Sequence, residues 1–521
     1  MPLNVKKVPE CFIDELIKLA ASTPFADQFA RLIPILREET YYVDIELGPD
    51  VIAGTRTGIQ RCINAMLDAK VCRTTVPGER IIRTGKVFEV VEEKEGALRL
   101  RIIFWPFQLN DEFWAAFTSG IELKPIFEQM AEVHAGDWAA CFDLKCAFLQ
   151  FPLAPGVQPR YGFVGPDGTE YVMTRMVMGG VPSAEICDVA LKILAHTSAA
   201  VNVTTHIDNV RFTGDRSAVA AAAAEFRDRC RRCNVTLNDE PENEPHQRGK
   251  FLGVEYDYGA KTVCLAEKTR LKLRAWLGRL DALTFGDVAS LFGNLMWAST
   301  VTSFPLQTVY YSIKYFRRRL SHLQRFQSDH DSPTTVWPCV RVQLEAWMQA
   351  LIDSGPQTPN GYCALDAEVS VFTDASTSGW GGFLLDHRTG EIKSCGGKWC
   401  IPGRHINQLE LEAVRQVTER FRNYLVGAAV RLYIDNTSAL ATIQRGRSNS
   451  YWLNQQLLTL APIVHEFKSL RVDYVASADN LADAPSRGRA AEWTTQQLPS
   501  PAGGGVFVRD ARPSARRSCP S

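Results

Sequence analysis

Two acidic residues in the first half of the chain lie within apolar, strand-like runs. Asp143 stands near the end of the run 138–144, and Asp208, followed by Asn209, lies towards the centre of the run 201–212. A carboxylate in such a place is costly to bury without a partner. A divalent cation would offset that cost, because hard cations prefer oxygen ligands. Neither signal is specific alone, since strand-terminal aspartates are common and Asp208-Asn209 also suits the tip of a hairpin.

Four further acidic residues occupy the second half of the chain. Each stands at the start or end of a predicted strand or helix: Asp374, Glu410, Asp435 and Asp483. Converging carboxylates repel one another strongly unless a cation lies between them. Glu412 is the alternative to Glu410, since both fall in the first turns of the same predicted helix.

The elements that carry the first pair mix strands and helices. Alternating apolar and polar residues over 85–105, interrupted at 94–96, predict a β-hairpin, and another hairpin begins at 251–254. The Ala- and Arg-rich stretch 218–233 predicts a helix. Strands with interspersed helices and a carboxylate at a strand centre indicate an α+β fold.

The second half begins with a helical pattern from 268 to about 326, followed by Pro-containing linkers at 331–333 and 354–360. A new α/β unit then extends from 369 to about 487, with a helix between two apolar strands. The tail from 499 is rich in Gly, Pro, Ser and Arg, which is typical of disorder.

The composition is that of a multidomain globular protein. The chain has 521 residues, of which 45% are hydrophobic and 22% charged, and this length suggests about three to four domains. No apolar run approaches the length of a membrane span. The N-terminus lacks the order of features in a signal peptide. An intracellular location, in the cytoplasm or the nucleus, is therefore expected.

The formal net charge of zero argues against a protein that grips phosphates, because such proteins usually carry excess Lys and Arg. Basic residues nevertheless gather in two stretches: Lys268, Arg270, Lys272, Arg274 and Arg279 along one predicted helix, then Lys314, Arg317, Arg318, Arg319 and Arg325. Each stretch predicts either a surface that holds a nucleic-acid backbone or a solvated helix face.

The fourteen cysteines are scattered and often lie in apolar runs, which predicts buried, reduced thiols rather than a disulfide framework. Cys230 and Cys233 form one CxxC without a second metal-binding pair nearby. A zinc site and a plain helix surface are both open for this pair.

Five segments resemble, in the same order, the motifs of reverse transcriptases. They are the fingers segment 94–110, motif A at 142–153, motif B at 176–184, motif C at 206–209 and the primer grip at 251–253. The stretch 283–297 is similar to the thumb of retrotransposon enzymes. The resemblance implies an RNA-directed DNA polymerase with the α+β right-hand fold of fingers, palm and thumb. Five ordered motifs are far more specific than any one of them.

The resemblance also implies roles for single residues. The catalytic and metal-binding positions are Asp143, Leu144, Asp208 and Asn209; the substrate-binding positions are Lys94, Arg101, Phe148, Met178 and Gly179; the primer grip is Phe251, Leu252 and Gly253. Two Mg²⁺ ions, or Mn²⁺, would serve two-metal phosphoryl transfer. The implied partners are an RNA template, a DNA primer and deoxynucleoside triphosphates, with the Phe148 ring excluding a ribose 2′-hydroxyl.

Three departures from the reverse transcriptase pattern surround this centre. Asn209 replaces a second aspartate, His206 stands where an aromatic residue is frequent, and 239–241 offers no lysine after Leu237-Asn238. Two interpretations of Asn209 are open. Its amide either weakens the metal site by supplying less charge, or orients Asp208 through a hydrogen bond.

The stretch 369–487 resembles the RNase H fold, with Asp374, Glu410, Asp435 and Asp483 at its four acidic positions. The resemblance implies two Mg²⁺ ions that activate a water to cleave the RNA strand of an RNA–DNA hybrid. Asn407 sets the register that favours Glu410 over Glu412. A histidine that is frequent before the last aspartate has no counterpart in 475–478.

The resemblance divides the chain into five parts: an N-terminal helical extension (1–80), fingers and palm (81–265), thumb and connection (266–365), an α/β RNase H-like domain (366–490) and a disordered tail (491–521). The amino-acid sequences of 176–184 and 478–487 resemble those of DIRS-like, tyrosine-recombinase retrotransposons, and more narrowly the kinetoplastid VIPER or TATE kind. Two rival functions are open: a domesticated host DNA polymerase, and a decayed copy that binds nucleic acid without catalysis.

Overall fold

A computed structural model describes residues 8–38, 42, 59–94, 97–326, 329–359, 367–400 and 403–491, with the backbone alone described for 92–94 and 97–100. As far as they are described, the residues form two compact units. The first comprises Met1–Pro125, Glu132–Leu252 and Tyr256–Lys261, and the second Ile126–Ala131, Gly253–Glu255 and Thr262–Ser521. Within the described ranges, no helix has both the length and the apolar character that crossing a membrane requires.

The helices and strands alternate irregularly along the chain. In order, the helices are α1 Ile13–Ala20, α2 Ala26–Arg37, α3 Ile59–Asp68, α4 Phe107–Ala116, α5 Ile126–Ala131, α6 Ser183–Ala195, α7 Arg216–Arg232, α8 Glu267–Leu277, α9 Phe285–Val301, α10 Tyr310–Arg325, α11 Pro338–Ile352, α12 Ile406–Arg420, α13 Arg422–Leu425, α14 Thr437–Arg445, α15 Tyr451–Val464 and α16 Asp483–Ser486. The strands are β1 Cys72–Thr74, β2 Lys86–Lys94, β3 Ala97–Trp105, β4 Trp138–Asp143, β5 Gly162–Val164, β6 Glu170–Met173, β7 Val201–His206, β8 Asn209–Gly214, β9 Arg248–Phe251, β10 Val254–Asp257, β11 Thr262–Leu265, β12 Leu283–Thr284, β13 Pro333–Thr334, β14 Val369–Ala375, β15 Gly379–Asp386, β16 Ile392–Lys398, β17 Ala429–Ile434 and β18 Ser469–Tyr474.

The first unit is centred on a three-stranded antiparallel sheet in the order β4-β8-β7. The single strand predicted over 201–212 is wrong, because the chain reverses at Ile207 and Asp208 to form the β7–β8 hairpin. Ile207 has a φ of 60°, the left-handed conformation that tight hairpin turns require. The chain therefore adopts the hairpin alternative, with Ile207 and Asp208 at the tip and Asn209 as the first residue of β8.

An aromatic cluster fixes helix α7 on this sheet. The ring of Phe142 on β4 lies 6.1 Å from that of Phe212 on β8 and 5.0 Å from that of Phe226 on α7. All three side chains are buried. Aromatic pairs at these distances add about 0.5–1.5 kcal/mol each beyond their buried area, so the strand that ends at Asp143 is held firmly.

The hairpin predicted over 85–105 is confirmed by the antiparallel pairing of β2 with β3. The helix predicted over 218–233 is also confirmed, as α7. The two cysteines near the end of α7, however, are both buried in the core rather than placed on a helix surface. Burial raises the pKa of the Cys233 thiol to about 11, and within the described chain neither thiol belongs to a metal-ligating group.

The helical stretch that the sequence predicts from 268 lies in the second unit. Helix α8 carries the first basic stretch but ends at Leu277, so the prediction that Arg279 shares this helix is wrong, because Gly278 lies at its C-cap. Helix α9 starts with a capping box in which Thr284 and Asp287 bond each other's backbone amides at 3.1 Å. That box defines the entry of the chain into α9.

The α/β part of the second unit is a five-stranded sheet in the order β16-β15-β14-β17-β18. Strands β16, β15 and β14 are antiparallel, whereas β17 and β18 run parallel to β14. All seven residues of the central strand β14 are buried, because both faces are covered. Val371 packs into the core with α12 and α15, and its neighbour Phe372 packs into the core on the opposite face.

Candidate active sites

The first centre lies where β4 ends and the β7–β8 hairpin turns. The backbone amide of Leu144 donates to the carbonyl of Asp208 at 3.0 Å, and Asp143 lies opposite Asn209 in the β4–β8 register. Asp143 and Asp208 both line a cavity of about 310 Å³. The same cavity is lined by four other residues that the sequence singled out: Arg101, Leu144, Phe148 and Met178.

Each of the two aspartates accepts a hydrogen bond from an asparagine amide. Asn209 Nδ2 donates to Asp208 Oδ1 at 2.9 Å, and Asn238 Nδ2 donates to Asp143 Oδ2 at 2.5 Å. The backbone amide of Asn238 also donates to the Asp143 carbonyl at 2.9 Å. These contacts orient both carboxylates, which is the second of the two interpretations of Asn209. Sequence reasoning missed Asn238, although the Leu237-Asn238 pair was the signal that could have identified it.

The electrostatics of the first centre favour a bound cation. Burial raises the pKa of Asp208, while hydrogen bonds from its own backbone amide and from Asn209, together with nearby His206 and Arg101, act in the opposite direction. The net shift is upward, which means that the ionised carboxylate is under-stabilised in the metal-free protein. A divalent cation would supply the missing stabilisation.

A buried carboxylate supports the strained hairpin turn. The backbone amide of Ile207 donates to Asp188 Oδ1 at 3.2 Å, and Asp188 is fully buried on α6. Lys192, one helical turn later, neutralises Asp188 at 2.7 Å. A β-branched residue at positive φ is strained, so Asp188 helps to hold the turn that presents Asp208. The sequence signal for Asp188 was weak: one acid inside an apolar helix.

The loop before α6 is held by hydrogen bonds with a residue of α4. Asn110 Nδ2 donates to the Gly179 carbonyl at 2.9 Å, and Asn110 Oδ1 accepts from the Val181 amide at 3.0 Å. Gly179 has a φ of 89°, a conformation that glycine adopts without strain. Met178, immediately before it, is exposed at the cavity. These hydrogen bonds therefore fix the loop that carries two of the predicted substrate-binding residues.

The remaining polymerase positions are placed less completely. Lys94 ends β2, and its side chain lies outside the described residues. Phe251 is buried with the Arg211 guanidinium 4.7 Å from its ring centroid. Leu252 and Gly253, with φ of 49° and 78°, form the two-residue turn between β9 and β10. None of these four is among the described residues that line the cavity.

The second centre combines three carboxylates of the α/β sheet and helix α12. Asp374 lies near the end of β14, Asp435 follows β17, and Glu410 lies on α12. One oxygen from each lies within 4.8 Å of the others. Because β14 and β17 are parallel neighbours, their carboxyl ends bring Asp374 and Asp435 to one edge of the sheet.

The donor set of this centre fits a hard divalent cation. Among the described residues, Asp374 Oδ2, Glu410 Oε2 and Asp435 Oδ1 are buried without a hydrogen-bond partner. Burial, followed by the charges of Asp435 and Asp374, raises the pKa of Glu410 to about 9. Burial and the neighbouring aspartates likewise raise the pKa of Asp374 to about 6, against a hydrogen bond with Ser486. Converging, unsatisfied carboxylates of this kind are typical of a metal site.

Glu412, the alternative to Glu410, lies in a different environment. Its carboxylate accepts from Arg415 at 2.7 Å and from Gln416 at 3.0 Å. Although burial opposes it, these contacts hold the pKa of Glu412 below its usual value. Glu410, not Glu412, therefore stands with the other carboxylates.

The fourth predicted acid, Asp483, lies near the triad but is paired differently. Arg487 donates to Asp483 Oδ1 at 2.8 Å, and Asp483 is not among the three residues whose oxygens converge. Its charge nevertheless contributes to the raised pKa of Asp374. Just upstream, the buried Asn480 donates to the Thr373 carbonyl at 3.0 Å, which ties the Asp483 segment to the strand of Asp374.

A pair of asparagines joins the elements that carry Glu410 and Asp435. Asn436 Nδ2 donates to Asn407 Oδ1 at 3.1 Å, and Asn436 Oδ1 caps α14 by accepting from the Ser438 and Ala439 amides. Asn407 lies one turn before Glu410 on α12. Sequence reasoning identified Asn407 only as a register marker, whereas its side chain fixes the helix to the end of β17.

Comparison with known proteins gives structural likeness only. No family model and no curated protein matches the chain. The chain is similar to a foamy viral protease–reverse transcriptase in complex with an RNA/DNA hybrid, with 14% identity, a TM-score of 0.48, and coverage of 96% of this chain and 66% of that one. A dRH form of that viral protein with double-stranded DNA gives 13% identity, a TM-score of 0.47, and coverage of 91% and 83%.

The elements described above have the predicted fold class: an α+β right-hand polymerase followed by an α/β RNase H-like domain. The sheet β4-β8-β7, with Asp143 and Asp208 at one end, lies in the stretch predicted as fingers and palm, and the sheet around β14 lies in the stretch predicted as the RNase H-like domain. The five-part division of the chain stays a prediction, as does the resemblance to DIRS-like elements.

Proposed function

We propose that this protein is an RNA-directed DNA polymerase with RNase H activity that copies retrotransposon RNA into DNA. The observation that carries the proposal is the presence of two separate carboxylate centres. Asp143 and Asp208 line a cavity in the first unit, and Asp374, Glu410 and Asp435 converge in the second. Each centre suits divalent cations, and a polymerase joined to an RNase H is a protein that needs two such centres.

At the first centre, the protein's own residues position an incoming nucleotide. Asp143 and Asp208, oriented by Asn238 and Asn209, would hold Mg²⁺ or Mn²⁺. The bound ions would supply Lewis-acid activation of the primer 3′-oxygen and charge neutralisation at the leaving pyrophosphate. Arg101, which lines the cavity, brings a positive charge for the triphosphate. Phe148, on the cavity wall, would restrict the space beside the sugar.

At the second centre, the unsatisfied carboxylate oxygens would hold the ions that activate water against an RNA phosphate. The pKa of Glu410 is raised further than that of Asp374, so the Glu410 carboxylate gains more from a bound cation. Asn407 and Asn436 keep Glu410 and Asp435 together, and Asn480 keeps the Asp483 segment on the sheet. Asp483 would join the centre if its carboxylate released Arg487 and turned to a metal ion that binds together with the substrate.

The proposed partners are an RNA template, a DNA primer, the RNA–DNA hybrid and deoxynucleoside triphosphates, in the cytoplasm or the nucleus. The amino-acid sequences of 176–184 and 478–487 support the proposal that the protein comes from a DIRS-like retrotransposon. The alternative is a decayed or domesticated copy that binds nucleic acid without catalysis. The orientation of both polymerase aspartates and the converging oxygens of the second centre favour the enzyme.

The test is primer extension on poly(rA) primed with oligo(dT), together with cleavage of labelled RNA in an RNA–DNA hybrid, each with Mg²⁺ or Mn²⁺. Wild-type protein is expected to perform both reactions, and the folded double variant Asp143→Asn/Asp374→Asn neither. Wild-type protein that binds the hybrid but catalyses neither reaction would contradict the proposal and support the nonenzymatic alternative.

A further inference from the structure

A cluster of four aromatic side chains forms an exposed surface on the second unit. The Tyr310 ring lies 5.4 Å from that of Tyr311 and 5.7 Å from that of Tyr451. The Tyr451 ring lies 5.5 Å from that of Trp452. Tyr311 is 49% and Trp452 63% exposed. Helices α10 and α15 each bury one face and present aromatic side chains to solvent on another.

Basic side chains without described acidic partners lie on the helices of this aromatic cluster or on the segment that precedes α15. Lys314 Nζ lies 5.9 Å from the Tyr310 ring centroid. Arg317 on α10 and Arg445 at the end of α14 both lie near Arg447, whose pKa is lowered by burial and then by these two like charges. Within the described chain, no carboxylate forms an ion pair with any of the three arginines. Three neighbouring guanidinium groups without a described counter-charge favour the approach of an external anion.

Neither feature alone selects a ligand, but together they do. A phosphate backbone would neutralise the arginines, and exposed rings offer stacking surfaces to unpaired bases. A duplex cannot use those rings, because its bases are already stacked and paired. A purely apolar protein partner would leave the arginines unpaired.

We propose that the surface formed by Tyr310, Tyr311, Tyr451, Trp452 and the arginines 317, 445 and 447 binds an unpaired nucleic-acid strand. The bases stack on Trp452 and Tyr311, and the phosphates lie against the arginines. A strand in this position would be a single-stranded stretch of template or product outside the hybrid. This binding goes beyond the proposed catalytic function and needs neither metal centre.

The test is fluorescence anisotropy of the full-length protein with labelled oligo(dT), and with a blunt RNA–DNA hybrid, in EDTA and without nucleotides. Trp452→Ala combined with Tyr311→Ala is expected to weaken oligo(dT) binding about tenfold or more, while binding of the hybrid changes less than about twofold. Trp452→Phe, which keeps an aromatic face, is expected to retain most of the affinity. Trp114→Ala removes an equally exposed tryptophan from the first unit and serves as the matched control.

The arginines are tested through the salt dependence of oligo(dT) binding. Arg445→Gln combined with Arg447→Gln is expected to reduce the slope of log K against log salt by about 1.4, or about 0.7 for each phosphate contact with a single strand. Arg231→Gln with Arg232→Gln, at the end of α7, is expected to leave the slope unchanged. Unchanged oligo(dT) binding by folded variants, or an equal loss on the hybrid, would overturn the proposal, and neither result depends on catalysis.

Discussion

At the scale of single residues, the proposed polymerase centre is arranged around carboxylates that accept amide hydrogen bonds. Asn209 both donates to Asp208 and faces Asp143 across the β4–β8 register. A carboxylate in its place would lose the donated bond and bring a third negative charge opposite Asp143. Like charges directly across a strand pair are destabilising. We therefore favour the interpretation of Asn209 as a positioning residue over that of a missing metal ligand, and this interpretation stays a prediction.

Asn209→Asp is therefore expected to impair synthesis. Loss of the orienting contact should reduce primer extension about 10- to 100-fold, the usual cost of altering a residue that orients a metal ligand, and should raise the Mg²⁺ concentration for half-maximal activity. A Mg²⁺ titration of wild type and variant measures this, with Asn64→Asp on the exposed face of α3 as the control. A lower Mg²⁺ concentration for half-maximal activity in the variant would instead support the interpretation that the Asn209 amide supplies too little charge to the metal site.

Phe148 gives a prediction about the sugar of the nucleotide. Its partly buried ring lines the polymerase cavity, and Phe148→Val shortens the side chain while keeping it apolar. The variant is expected to incorporate ribonucleotides at least about tenfold more readily relative to deoxyribonucleotides, because the obstacle to the 2′-hydroxyl is removed. Assays in which ribonucleotides and deoxyribonucleotides compete for incorporation measure this selectivity. Retained activity with an unchanged ratio of ribonucleotide to deoxyribonucleotide incorporation would exclude Phe148 from this role.

The raised pKa of Glu410 predicts that the stability of the metal-free protein depends on pH. Its folded pKa of about 9 lies above the usual glutamate value of about 4.3, so folding favours the protonated form. That contribution is fully present below about pH 4 and is lost as pH rises towards 9. Glu410→Gln is expected to raise the melting temperature at pH 8 in EDTA by several degrees, and this gain should shrink when Mg²⁺ is added to both proteins.

The matched control for this prediction is Glu412→Gln, two residues along the same helix. The pKa of Glu412 is lowered by its contacts with Arg415 and Gln416, so its ionised form stabilises the fold above its unfolded pKa. Its replacement is expected to lower the melting temperature at pH 8. If both variants shift stability in the same direction, the assignment of Glu410 to a site of converging carboxylates is wrong.

At the scale of elements, the RNase H-like sheet accepts the segment that carries Asp483 directly against its backbone. A Cβ on Gly381 of β15 would lie 2.5 Å from the Ala482 carbonyl and also against the Ser486 amide. Both are backbone atoms, which cannot rotate away as a flexible side chain could. The glycine therefore lets helix α16 approach β15 closely enough to place Asp483 near Asp374.

Gly381→Ala is expected to displace α16 and reduce hybrid cleavage at least about tenfold, while primer extension is retained. Cleavage and extension assays on the same preparation provide the measurement. Gly355→Ala, where a Cβ meets no atom within 4 Å, is expected to leave both activities unchanged. Equal cleavage by the Gly381 and Gly355 variants would show that close docking of this segment is unimportant.

The sequence predicts the helices and strands better than it predicts the contacts that assemble them into the two carboxylate centres. Period-2 and helical patterns identify β2–β3, α7 and α12 correctly. They fail over 201–212, because the strand-like pattern continues on both sides of the reversal, and the Asp208-Asn209 pair, which also suits the tip of a hairpin, does not decide for a turn by itself. The contacts of Asn238, Asp188 and Asn480 were also missed, since each reaches its partner in a segment distant in sequence. The Leu237-Asn238 pair and the single acid inside an apolar helix indicated the first two residues but not their partners. Local patterns carry no information about such contacts.

At the scale of the whole molecule, each compact unit contains its own carboxylate centre and its own core. Asp143 and Asp208 belong to the first unit, whereas Asp374, Glu410 and Asp435 belong to the second. The net charge of zero does not oppose nucleic-acid binding, because the binding surface proposed above gathers basic side chains locally. Catalysis at one centre should therefore be separable from catalysis at the other.

The most direct test measures both reactions in two single variants. Asp208→Ala is expected to abolish primer extension and leave RNA cleavage in the hybrid at the wild-type rate, and Asp374→Asn is expected to do the reverse. Both variants should retain the melting behaviour of a folded protein, which circular dichroism verifies on the same samples. Loss of both activities in either folded variant would contradict the assignment of two independent carboxylate centres to two reactions.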